Sequence, residues 1–162
     1  MEYTKNLNPA YFEEFPTEAN CGSFAFNIEE WYNPEKHFIA SVGNIDKWIQ
    51  EMYESGYSLD ELANIYVEDL VEQVLEDFHL EIRLITRFSE VQSNEEVIAL
   101  RAWCYYSEDD WSDWDFHFKV LRDGIWQEKC GCESVRFCLK DEWSYGTRTY
   151  NSETVYFAHR VI

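Results

Sequence analysis

Hydrophobic positions fall into two regimes along this chain. From Cys21 to Phe78 they recur every three or four residues, the repeat of a helix with one buried face. Phe24, Ile28 and Trp31 mark a first helix over 21–32, stopped by Asn33-Pro34. A second is expected over 45–54, ending at Ser55-Gly56, and a third over 59–78 behind the capping-box pattern Ser58-Leu59-Asp60-Glu61. In the third, Leu59, Leu62, Ala63, Tyr66, Leu70, Val74 and Phe78 share one face, and Glu61, Glu68, Asp69, Glu72 and Glu76 lie mostly on the other. After His79 the pattern shifts to short runs of branched and aromatic residues: 80–88, 97–106, 114–121, 125–129, 135–139 and 154–161, all read as strands. Arg122-Asp123-Gly124 is a hairpin signal, and 107–113 reads as an acidic loop. Helices first and strands second predict an α+β fold, N-terminal helices packed on a C-terminal antiparallel β-sheet.

The length of 162 residues fits a single domain over 1–162, with Asn8 to Thr17 as an arm laid on it. Hydrophobic residues at 46% and aromatics at 18% supply a packed core rather than a disordered chain. The 32 acidic residues against 13 basic ones give a net charge of −19, which repels nucleic-acid phosphates and anionic membranes. Direct nucleic-acid and membrane partners are therefore excluded, and a basic protein surface becomes the charge-matched partner. Met1 to Asn6 lacks the basic and apolar run of a secretory signal, and no apolar stretch reaches membrane length, so a cytoplasmic location is expected. Five cysteines in a reducing compartment do not suggest a disulfide framework.

One of those cysteines opens a predicted helix. Backbone N–H groups and the helix dipole at such a position favour thiolate, and Asn20 beside Cys21 is a candidate donor to an oxyanion. Gly22 allows close approach of a substrate. In Trp114 to Val120, alternation separates Phe116, Phe118 and Val120 from Asp115, His117 and Lys119, so the imidazole leaves the apolar face. A helix cysteine with a strand histidine supplies nucleophile and general base. The group that orients the imidazole depends on the hairpin register. A two-residue turn at Asp123-Gly124 puts Glu128 on the His117 face, diagonally displaced, and a bulged glycine puts Gln127 and Lys129 there. Matching Trp126 to Val120 favours the bulge. The two-residue turn also sets Cys130 across from His117 as a competing thiol, where Glu128 and Glu133 oppose its ionisation.

Ala19-Asn20-Cys21-Gly22-Ser23-Phe24-Ala25, Asp115-Phe116-His117-Phe118-Lys119 and Asp123-Gly124-Ile125-Trp126-Gln127-Glu128-Lys129-Cys130-Gly131 resemble the motifs of small papain-like proteins of NlpC type, many of them phage-borne. The resemblance implies a papain-like fold with Cys21 as nucleophile, His117 as base and Glu128 as the third polar residue. It covers two islands, separated by the long acidic helix.

Other groups invite other chemistry. Cys130-Gly131-Cys132 with Cys138 and His159 lacks the paired chelating spacing of structural zinc sites, so no metal or cofactor is expected. The acidic run from Glu108 to Asp115 lacks the glycine and terminal glutamate of a calcium loop, and its Trp111 and Trp114 are candidate protein-binding residues. Two functions follow. One is a cysteine hydrolase acting on a peptide or amide through Cys21, His117 and Glu128 or Gln127. The other is a non-catalytic acidic inhibitor, of anti-CRISPR or DNA-mimic type, that occupies the basic groove of a defence protein.

Overall fold

The computed structural model describes residues 19–109, 111–131 and 133–161, so the expected arm over 8–17, with Asp110, Cys132 and Ile162, lies outside it. Its helices are α1 (Cys21–Phe26), α2 (Lys36–Val42), α3 (Ile45–Glu54) and α4 (Leu59–Asp77). α3 and α4 match the periodicity almost residue for residue, and α4 is held at its start by the predicted capping box between Ser58 and Glu61. α1 is shorter than expected. Asn27 turns left-handed (φ 55°, ψ 47°) and its N–H closes on the Phe24 and Ser23 carbonyls, which ends the helix after six residues. α2 was not anticipated from the pattern, because only Phe38 of its seven residues is buried and no amphipathic face announces it.

The strands are β1 (Ile82–Ile85), β2 (Glu95–Ser107), β3 (Trp111–Arg122), β4 (Ile125–Lys129), β5 (Val135–Phe137), β6 (Ser144–Tyr145), β7 (Arg148–Thr149) and β8 (Val155–Arg160). Six form an antiparallel sheet in the order β1-β8-β2-β3-β4-β5, and β6 pairs with β7 separately. The α+β expectation therefore holds. Much of the expected acidic loop is strand, since β2 and β3 pair continuously from Val97↔Leu121 to Ser107↔Trp111. Tyr105 packs on Trp111 at 4.9 Å, and Arg148 neutralises Asp113 and Asp115, so carboxylates at this end are paired rather than mutually repelling.

Alternation divides the sheet into two faces. Ile98, Leu100, Ala102 and Cys104 of β2 join Phe116, Phe118 and Val120 of β3 against α1 and α4, with Phe26 stacked on Phe78 at 4.1 Å. Burying each such large side chain contributes about 1.5–3 kcal/mol. The opposite face carries Ala99 and Trp103, covered by Trp143 and Tyr150 from the crossing segment of β6 and β7. That cover buries His117, which points to this second face.

Candidate functional site

α1 is held from both ends by buried cations. The Lys129 ammonium, at the end of β4, donates to the carbonyls of Ala19 and Gly131, and the Arg122 guanidinium donates to the Phe24 and Ala25 carbonyls at 3.3 and 3.2 Å. A cation at the C-terminal carbonyls complements the helix dipole, adding to the bond that the Phe24 carbonyl already accepts from the Asn27 N–H. Arg122 is itself paired with Glu96 at 2.6 Å. The start of the helix is built by Asn20, whose Oδ1 accepts from the Ser23 N–H at 2.9 Å and whose Nδ2 donates to the Tyr32 carbonyl at 2.6 Å. Asn20 thus caps α1 and ties it to Tyr32. One of the two Nδ2 hydrogens and the Oδ1 acceptor are engaged in that role.

Gly22 also serves packing rather than substrate access. A Cβ at this position would lie 2.7 Å from the Tyr32 ring and 3.3 Å from the Phe118 ring, so the absence of a side chain lets α1 close on the sheet. Cys21 follows the same logic. It is 5% exposed and its thiol accepts hydrogen bonds from the N–H groups of Phe118 and Gly22. Burial, reinforced by the negative charge of Asp115 and by Cys130, outweighs those donors and pushes the thiol up to about 12. The expected thiolate at a helix start does not form, because a helix of six residues offers little dipole against full desolvation.

Asp123 (φ 54°) and Gly124 (φ 75°) both take positive φ in a two-residue turn, the conformation that matches strand twist in a tight hairpin. Leu121 faces Trp126 and Lys119 faces Glu128, so the bulged register favoured by matching Trp126 to Val120 is not adopted. Gln127, facing Val120, donates to the Arg122 carbonyl at 3.0 Å and takes no part in orienting the imidazole. Glu128 is diagonal to His117, and its Oε1 lies 2.9 Å from His117 Nε2. The carboxylate also accepts from Arg136 Nε at 2.9 Å and from the Tyr145 hydroxyl at 2.5 Å. Burial alone would raise this carboxyl, but its bonds to His117, Tyr145 and Arg136 prevail and hold it at about 2. An ionised Glu128 is an acceptor only, so His117 Nε2 carries the proton of this bond and Nδ1 is the ring nitrogen outside it.

The imidazole sits among Tyr145, Tyr150 and Trp143, with ring centroids 4.8, 5.8 and 6.0 Å away. Asp115 does not bond His117; it accepts from Tyr150 and Arg148 at 2.8 and 2.7 Å. Cys21, His117, Glu128 and Cys130 all line one cavity of about 1030 Å³, with Asn20 at its wall. Trp31, expected on a buried helix face, instead lies beyond the end of α1, 54% exposed at the cavity with Phe137 and Leu139. The two candidate protein-binding tryptophans lie on opposite faces of β3. Trp111 is exposed beside Tyr105, whereas Trp114 packs on the main core, as their odd and even positions on β3 require.

Arg136 and Tyr145 were invisible as site residues in the sequence, since Arg136 alternates outward on a short strand and Tyr145 falls where no periodic element is legible. Of Cys130, Cys132, Cys138 and His159, the set whose spacing argued against a zinc site, Cys130 and Cys138 line the cavity, His159 is on β8 and Cys132 lies outside the described residues. Among the described residues, the ligand atoms of His117, Glu128 and Cys130 converge, all within 4.8 Å of one another. No helix of the described residues is long and apolar enough to cross a membrane. No protein-family model, curated protein or solved structure matches the chain.

Proposed function

We propose that the protein is a papain-like cysteine hydrolase of amide or ester bonds. The observation that carries this reading is the 2.9 Å bond between His117 and Glu128 at the cavity that Cys21 also lines. Cys21 rests as the neutral thiol, so nucleophile and base act in one step: Sγ attacks the substrate carbonyl as its proton passes to His117 Nδ1. His117 then gives that proton to the leaving amine or alcohol. A water, deprotonated by the same nitrogen, hydrolyses the thioester and returns the thiol. Glu128 stabilises the imidazolium and keeps the ring oriented, with Arg136 and Tyr145 holding Glu128 in turn. Trp31, Phe137 and Leu139 supply apolar surface for the substrate beside the carbonyl site.

An activated ester tests this directly. The acyl group should be found by mass spectrometry on Cys21 alone, with no burst in Cys21→Ala and a rate about 10²–10⁴ lower in His117→Ala. Acylation spread over several cysteines, or an unchanged rate in Cys21→Ala, sinks the reading. The neutral thiol and the net charge of −19 favour a second one, an acidic inhibitor that uses this fold as a scaffold. It predicts salt-sensitive binding to a basic nucleic-acid-binding protein, retained in Cys21→Ala; binding indifferent to ionic strength overturns it.

A further inference from the structure

Three different ligand types meet at one wall of the cavity: an imidazole nitrogen of His117, a carboxylate oxygen of Glu128 and the thiol sulfur of Cys130. They come from adjacent positions of two strands. β3 supplies His117, β4 supplies Glu128, and Cys130 follows the last residue of β4, where the chain has left the β3–β4 ladder. His117 and Glu128 are almost wholly buried and Cys130 is half-buried, so two ligands are fixed and the third has room to adjust. Nitrogen, oxygen and sulfur donors at bond lengths of about 2.0–2.3 Å stand roughly 3.3–3.8 Å apart around a tetrahedral ion. To reach that geometry the 2.9 Å His117 Nε2–Glu128 Oε1 contact opens slightly as the ring proton moves from Nε2 to Nδ1, and the half-buried Cys130 sulfur, within 4.8 Å of both, closes inward.

The cluster already attracts a cation. Arg136 Nε donates to Glu128 at 2.9 Å and its Nη2 donates to Cys130 Sγ at 3.2 Å, so one guanidinium bridges two of the three ligands. That side chain is half exposed and can swing into solvent. The guanidiniums of Arg148 and Arg101 are engaged elsewhere, Arg148 by Asp113 and Asp115 and Arg101, across from His117 on β2, by the Thr154 hydroxyl and the Tyr150 carbonyl, while Glu133 and Glu142 add negative charge around the cavity.

We propose that His117, Glu128 and Cys130 form a three-ligand zinc site with its fourth position open to the cavity, and that Arg136 is the resident cation which zinc displaces. The set fits a borderline-soft ion that accepts N, O and S together. On binding, the Cys130 thiol releases its proton to solvent as the Zn–S bond forms, and His117 binds as neutral imidazole. The zinc form is incompatible with hydrolysis, because the ion takes the base and the group that orients it. The site itself does not depend on the cavity hydrolysing anything.

Cobalt reports the site optically. Chelator-treated full-length protein titrated with Co²⁺ should give, at one equivalent, visible bands of a four-coordinate ion and a near-ultraviolet sulfur-to-cobalt band; zinc should abolish both. Cys130→Ser should lose the sulfur band and bind zinc at least about tenfold more weakly against a chromophoric chelator. Arg136→Gln, which removes the competing cation, should bind zinc more tightly. No cobalt band in the wild type, or a sulfur band that survives Cys130→Ser because another thiol holds the ion, overturns the site. Unchanged affinity in Arg136→Gln overturns the displacement. No substrate enters the assay, so a silent cobalt titration leaves the acyl-enzyme test standing, and a failed acyl-enzyme test leaves this one standing.

Discussion

Cys21 keeps its proton because desolvation exceeds what two N–H donors return, and that ordering fixes how the thiol should react with alkylating agents. With the thiol near 12, only about 10⁻⁵ of it is thiolate at pH 7. Its alkylation by iodoacetamide should rise about tenfold per pH unit from pH 7 to 10, read by mass spectrometry of the Cys21 peptide. A rate flat across that range reveals a preformed thiolate–imidazolium pair and contradicts the burial argument. Glu128 behaves oppositely. Its folded carboxyl, near 2, lies below the unfolded value of about 4.3, so its bonds stabilise the fold above about pH 4.5 and are lost as pH falls toward 2. The contribution is on the order of 2–3 kcal/mol, and Glu128→Gln should lower urea stability at pH 7 by a similar amount and flatten the acid limb. Gly22→Ala should cost about 1–3 kcal/mol in the same assay, since Tyr32 and Phe118 leave no room for a methyl. Residue types at the site were legible: a cysteine beside a helix cap and a histidine on the polar side of a strand. The protonation of Cys21 was not, because it depends on how deeply α1 is buried, which no local pattern encodes.

At the scale of elements, α3 and α4 were legible because their caps and apolar faces agree. α1 was over-extended because Ile28 and Trp31 happen to keep helical spacing past the left-handed Asn27. Arg122 and Lys129 fix this short helix from the sheet, so it should depend on them more than on its own propensity. Arg122→Met keeps much of the stem but removes the bonds to Phe24, Ala25 and Glu96. Hydrogen exchange in 21–26 should then accelerate more than in α4, with a global loss of about 2–4 kcal/mol. Uniform acceleration across both helices contradicts a clamp specific to α1. The β2–β3 hairpin shows the reverse failure of sequence reading. A dense acidic run suggested a loop, but Arg148, distant in sequence, neutralises Asp113 and Asp115 and lets strand pairing continue.

For the whole molecule, the excess of 32 acidic over 13 basic residues opposes compaction by self-repulsion. Raising the salt from 20 to 300 mM at pH 7 should therefore raise the melting temperature; a fall indicates that paired charges such as Arg122–Glu96 outweigh the repulsion. The two-layer α+β arrangement was readable from the order of periodicities, but the cover over the second sheet face was not. Trp143, Tyr145 and Tyr150 belong to a segment without repeat, and only the tertiary fold lays them over His117.

The two residues Asp123 and Gly124 decide more than the path of a hairpin. Because neighbouring side chains on a strand alternate faces, lengthening this turn by one residue would bring Gln127 or Lys129 toward His117 and carry Glu128 to the other side. The chemistry at this wall is thus addressed by a count of residues rather than by local shape. Point substitutions can tune it gradually, but a single-codon insertion at the turn would exchange an anion for an amide or a cation in one step. Lineages that keep this chemistry should therefore vary the turn in identity and never in length.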